Sequence, residues 1–150
     1  MIEGRVIGAE SVIAGLGMAS EESRKRVRSA VQRLGLELLR KIKEDFLSGR
    51  ALGVRTGRLR RSINESTSES GTEITSSVGT VVGYGRVWEL GFTGSQAVKS
   101  FSRTGRTGVV QQVKAFSRKV NIVARPFLRP ALAEMAPRVR TKLAEVLRGL

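Results

Sequence analysis

The sequence predicts an α+β domain in which a mainly antiparallel β-sheet is covered by a long N-terminal helix and a C-terminal helix, with a long flexible basic loop. Three observations predict it. Apolar residues recur at steps of three and four in two segments, Val27 to Phe46 and Leu128 to Val146, which marks one buried face on each of two helices. Between them, alternating or β-branched segments are broken by glycine turns, the pattern of hairpins. Residues 92–107 hold Ser, Thr, Gly, Lys and Arg without a period, which reads as a loop.

Taken in order, Met1 to Gly8 reads as a short strand and Val12 to Leu16 as a helical turn. Ser20 is a good N-cap, and Glu21 and Glu22 place negative charge in the first turn of a long helix. Val27, Val31, Leu34, Leu38, Ile42 and Phe46 form its apolar face, and Gly49 is its natural left-handed stop. Gly35, inside the helix, costs about 1 kcal/mol against alanine and so marks a close approach to another backbone. A basic loop follows over Arg50 to Arg61. Ser62 to Glu69 and Thr72 to Val78 then alternate around Ser70-Gly71 as a hairpin, so rich in Ser, Thr and Glu that one face is wet or covered by another subunit. Gly79 to Gly85 reads as a buried strand, and Arg86 to Leu90 as one helical turn closed by Gly91. Val109 to Val123 returns to strand character, with Phe116, Val120 and Ile122 on one side, and a bulge or partial burial of both faces is expected. Pro126 and Pro130 set a rigid passage into the C-terminal helix near Phe127 or Pro130, and Pro137 kinks that helix or starts a second segment.

At 150 residues the chain is one domain, 1–150, large enough to bury about two-thirds of its unfolded surface. It has no cysteine and no histidine, so disulfides, thiolate metal sites and any Ser-His or Cys-His pairing are excluded. Asp45 is the only aspartate, and no catalytic residue, metal site or cofactor is expected. No apolar run approaches the roughly 18 residues of a membrane span, and the first residues lack a signal-peptide pattern, so a soluble cytosolic product without a membrane partner is expected.

The formal charge is +14, and Gly91 to Ala133 carries eight Lys or Arg and no acid. Such a field seeks nucleic acid, an acidic protein face or an acidic membrane. A membrane-surface role fits poorly, because the cations do not lie along one amphipathic helix. The glycines of VGTVVGYGRVWELG imitate a phosphate loop, but no GxxxxGK[ST] is present. Tyr84 and Trp88, four apart, read as a core pair packed on the sheet. Glu89 sits between Trp88 and Leu90 and is expected to pair with an arginine such as Arg58, Arg60 or Arg125.

Three separated strings can be taken together: TGRLRRSI at Thr56 to Ile63, VGYGRVWELG at Val82 to Gly91, and ARPFLRPALAEM at Ala124 to Met135. In this order, after one long helix, they resemble the tail-completion or head-tail joining proteins of long-tailed bacteriophages. The Gly85-Arg86 pair departs from the family pattern, which has alanine or a second aromatic there. The resemblance implies that Thr56, Gly57, Leu59, Tyr84, Trp88, Glu89, Gly91, Arg125, Pro126, Phe127 and Pro130 are motif positions of the fold. It also implies a non-enzymatic virion protein of a phage or prophage, present in host cytoplasm during assembly. Such a protein forms a ring of six copies at the neck and contacts a head-closure protein and the tail-tube protein. Subunit or neck and tail contacts are expected at Arg55, Arg58, Arg60, Arg61, Glu65, Glu69, Glu73, Phe92, Lys99, Phe101, Arg103 and Arg106, with the arginines facing an acidic neighbour or DNA in the lumen. The alternative is a basic nucleic-acid-binding module, although no helix-turn-helix, zinc finger, RRM or KH signature is present.

Overall fold

The computed structural model describes residues 20–106 and 108–149, so the strand and turn expected within 1–17 lie outside the described residues. Helix α1 spans Glu21–Lys41, and the Ser20 hydroxyl accepts from the Ser23 N–H at 3.2 Å. The helical path then widens into a π-type segment, Ile42–Arg50, broken at Gly49 with φ +144°, so the predicted glycine stop is where the path fails. A short α2, Arg58–Ser62, opens at Gly57 (φ +68°) and leads into strands β1, Ile63–Ser70, and β2, Glu73–Thr80. Helix α3, Gly83–Leu90, is closed by Gly91 (φ +77°). It is a two-turn helix, where the sequence predicted a buried strand to Gly85 and a single turn after it. Four strands follow, β3 (Phe92–Val98), β4 (Phe101–Thr104), β5 (Val110–Val113) and β6 (Phe116–Ile122), and then α4, Leu128–Arg148, which runs unbroken through Pro137.

The α+β class and the two covering helices are as predicted. The strands, however, form three two-stranded antiparallel ladders, β1-β2, β3-β6 and β4-β5. Helix α1 is the common neighbour of the β1-β2 hairpin and of α4. The core lies where these meet. Ile42, Phe46 and Leu47 from the π-type segment, Ile63 and Val78 from the root of the hairpin, and Phe127, Leu128 and Ala131 from the start of α4 form one buried cluster. Phe127, Ile42 and Ile63 are its most enclosed side chains. The predicted α4 stripe is also in place, with Met135 buried and Val139, Leu143 and Val146 half-buried.

The inner face of the hairpin turns towards α1. Glu65 accepts hydrogen bonds from Ser76 (2.8 Å) and Thr67, Glu69 pairs with Arg24 (3.8 Å) and Arg28 (3.5 Å), and Arg24 also donates to the Gly71 carbonyl. The outer face, Asn64, Ser66, Ser68 and Ser70, is exposed, so one face is open as expected, and the inner polar face is satisfied within the hairpin and by α1. Gly35 is what permits this. It is buried, and a Cβ there would overlap Ser76 Oγ and come within 3.0 Å of Glu65 Cγ. The close approach is thus real, but to hairpin side chains and not to backbone.

Most of the loop expected over 92–107 is strand: Phe92–Val98 and Phe101–Thr104 are both paired. Phe92 to Thr104 pairs with Val110 to Ile122, and the register is the same on both sides of an interruption at Lys99-Ser100: Val98 faces Phe116, and Phe101 faces Val113. The two ladders are one antiparallel ribbon, with no extra residue on either strand and hence no bulge. Its period was hidden because Ser, Thr and Gly fill positions where a buried strand would carry apolar side chains. The pairing comes from the returning strand, which a local window cannot see.

Candidate functional site

Two places hold what the sequence singled out: a buried joint and a projecting arm. The joint is built on Glu89, which is 2% exposed. Its Oε2 accepts from the backbone N–H groups of Phe127 (2.8 Å) and Leu128 (2.9 Å), and its Oε1 from that of Arg129 (3.0 Å). These are the first donors of α4, which have no partner inside the helix. The fourth position of that turn is Pro130, which has no N–H to satisfy. One carboxylate and one proline thus account for the whole N-terminal turn, and the negative charge sits at the positive end of the helix dipole. The expected arginine partner of Glu89 is replaced by backbone. Arg125 instead donates its own N–H to the Trp88 carbonyl at 2.7 Å.

The rest of the three strings closes on the same joint. Gly91 takes positive φ, and a Cβ on it would lie 3.0 Å from the Ile122 carbonyl oxygen, where the ribbon returns to the body. Leu59 and Trp88 pack against the core, whereas Tyr84, expected beside Trp88 in the core, is 40% exposed. A Cβ at Gly85 would meet Thr80 Cγ2 at 2.6 Å and Leu59 Cδ1 at 3.2 Å, so the packing there leaves no room for a side chain. Thr80 is buried and satisfied, sharing a 2.7 Å hydrogen bond with Ser62 and accepting from the Val82 N–H at 3.1 Å.

Arg55, Arg58, Arg60 and Arg61 are all exposed. Arg61 folds back to donate to the Thr56 carbonyl (3.1 Å), and Thr56 Oγ1 accepts from the Arg58 N–H at 3.4 Å. Glu65 and Glu69 are engaged within the chain, and Glu73 accepts from Thr75 at 3.3 Å. Some cations of the body are compensated: Lys41 and Arg50 both grip Glu134 (2.9 and 2.6 Å), and Arg138 pairs with Glu37 (3.0 Å). The Arg50 and Lys41 hydrogen bonds hold the Glu134 carboxyl below its ordinary value, and Glu134 in turn raises Lys41 and Arg50.

The arm differs in every respect. The ribbon from Phe92 to Ile122 makes little contact with the body, and most of its side chains are exposed. With about 3.3 Å per residue it extends roughly 40 Å. Phe92, Val98, Phe116, Val120 and Ile122 share one face of its root, with Phe92 and Phe116 42% and 46% exposed. Lys99, Arg103, Arg106 and Lys114 lie along its outer half. Sequence reasoning named Phe92, Lys99, Phe101, Arg103 and Arg106 but missed Lys114, Arg118 and Lys119, which the returning strand brings alongside them. The signal was present in the acid-free run, and only the pairing was lacking. Among the described residues no cluster of His, Cys, Asp and Glu suits a metal ion, and no helix is long and apolar enough to cross a membrane. Comparison of the chain with protein-family models, curated proteins and solved structures finds no match.

Proposed function

We propose that this chain is a non-enzymatic virion protein that forms a ring at the junction of neck and tail of a long-tailed phage or prophage. There it completes or terminates the tail and enables the head to join. The observation that carries the reading is that the three strings of the resemblance are parts of one device. TGRLRRSI delivers Leu59 and Ile63 to the core, VGYGRVWELG delivers Glu89, and ARPFLRP delivers the helix start that Glu89 caps. A likeness at scattered surface positions would carry less weight than one whose members touch.

A ring needs two different, complementary faces on one subunit. The arm, with exposed apolar side chains at its root and unpaired strand edges, is a surface that an isolated monomer has no use for. Its apolar face, with Phe92 and Phe116, is the part best suited to reach a neighbouring copy, a head-closure protein or the tail tube. The test is negative-stain microscopy of lysates from the parent phage with this gene deleted. Filled heads beside unattached or overlong tails are the expected result, and normal attached particles would refute the reading.

A further inference from the structure

We infer that the β-ribbon arm is a contact surface for duplex nucleic acid, held by Lys99, Arg103, Arg106, Lys114, Arg118 and Lys119. The inference rests on the arm's geometry and charge, and it stands whether or not the chain forms a ring.

Charge is the first argument. The ribbon carries these six cations and no acid. Among the described residues none of the six forms an ion pair; Arg55, Arg58, Arg60 and Arg61 on the body form none either, but the body holds acids that pair Arg24, Arg28, Lys41, Arg50 and Arg138, and the ribbon holds none. Where guanidiniums on the arm are oriented, neutral groups orient them: Arg118 donates through Nε and Nη2 to Gln96 Oε1 (3.1 and 2.8 Å), and Arg103 to Gln111 Oε1 (3.4 Å). Their positive charge is positioned and not cancelled, the condition for meeting an external anion.

Shape is the second. Two antiparallel strands about 4.8 Å apart make a ribbon that the major groove of B-DNA, about 12 Å wide, admits. A ribbon lying in the groove turns its two strands towards the phosphate-lined walls, so long cationic side chains on both strands and at the tip can reach phosphate. Lys99 and Arg103 lie on one strand and Lys114, Arg118 and Lys119 on the other. Lys119 faces Ser95, on the side opposite to the Gln96-Arg118 pair, Arg103 projects further out beside Gln111, and Arg106 sits at the turn. The contacts implied are to phosphates, and they predict affinity without sequence preference.

The test uses the purified full chain and a fluorescently labelled duplex of about 20 base pairs, in two unrelated sequences, with salt varied from about 50 to 200 mM. Six neutralised phosphates give a log-log salt slope of about −5 and a loss of about a thousandfold over that range. Combining Lys99→Gln, Arg103→Gln, Arg106→Gln and Lys114→Gln, all at exposed positions, makes the slope shallower by about 3 to 4. Combining Arg55→Gln, Arg58→Gln, Arg60→Gln and Arg61→Gln leaves most of it in place. Circular dichroism verifies that both variants are folded. No binding by the unaltered chain at about 50 mM salt, a larger loss in the second variant than in the first, or equal displacement of DNA by polyglutamate of matched charge would each overturn the inference. The last result would assign the arm to an acidic protein. Because no phage particle is involved, the outcome is separable from that of the deletion experiment.

Discussion

Removing the Glu89 carboxylate should be among the costliest single changes in this chain, and the reason can be worked from three distances. Oε2 takes two N–H groups at 2.8 and 2.9 Å and Oε1 a third at 3.0 Å, and the donors belong to a turn whose residues Phe127 and Leu128 are buried. In Glu89→Gln one oxygen can keep the Phe127 and Leu128 bonds, but the amide nitrogen then presents a donor to the Arg129 N–H. Losing one charge-assisted bond and facing two donors together costs about 2 to 3 kcal/mol. In Glu89→Ala all three donors lose their partner at about 1 to 3 kcal/mol each, partly relieved by water entering the vacated space, so about 3 to 5 kcal/mol is expected. The assay is urea unfolding followed by far-ultraviolet circular dichroism, with an unchanged m-value as the sign that only stability has moved. A loss under about 1 kcal/mol for Glu89→Ala would refute the claim that this carboxylate caps α4. So would Glu89→Gln proving as costly as Glu89→Ala, since the amide retains two of the three acceptor contacts.

Three further outcomes are expected. Gly35→Ala should destabilise by about 1 to 3 kcal/mol in spite of the better helix former, because the new methyl overlaps Ser76 Oγ; adding Ser76→Ala should recover part of the loss, and an unfolding cycle showing strict additivity would contradict this. The Glu134 carboxyl is held below its ordinary 4.5, so its ion pairs contribute stability above that value and lose it as pH falls through the lowered one. The difference in urea midpoint between the unaltered chain and Glu134→Gln should therefore be constant near neutrality and vanish in acid, and a difference that persists there would remove Glu134 from the account. Finally, replacing residues 95–119 by a two-residue Asn-Gly turn should change the stability of the body by less than about 1 kcal/mol, since the excised ribbon packs mainly on itself; a loss of cooperative unfolding would show that it does more.

The helices were legible because their burial is periodic. Val27, Leu34, Ile42 and Phe46 are buried in the order that their spacing foretold, and Ser20 and Gly49 bound the path as their backbone preferences require. Glu89 was legible as an acid in need of a partner but not in its role, because its partners are backbone N–H groups about forty residues away, and a backbone donor leaves no letter in the sequence. The arm was illegible for a related reason. A strand exposed on both faces lacks the alternation that burial imposes, so Thr93, Ser95 and Ser102 look like loop residues until Asn121, Lys119 and Gln112 are placed opposite them. The acid-free run was plain from composition, but which of its cations stand together was decided by pairing.

Gly94, Ser95 and their neighbours run along edges whose outward N–H and C=O groups meet no other strand among the described residues. Such an edge is a template for a second chain, and the ribbon has neither a proline nor a bulge to blunt it, only its charged side chains. What keeps two arms apart is their shared positive charge, and that repulsion reaches only about 10 Å at 0.1 M salt and about 3 Å at 1 M. Ionic strength is therefore expected to govern the self-association of this protein, with dilute buffer keeping the arms separate and concentrated salt weakening the barrier between their edges.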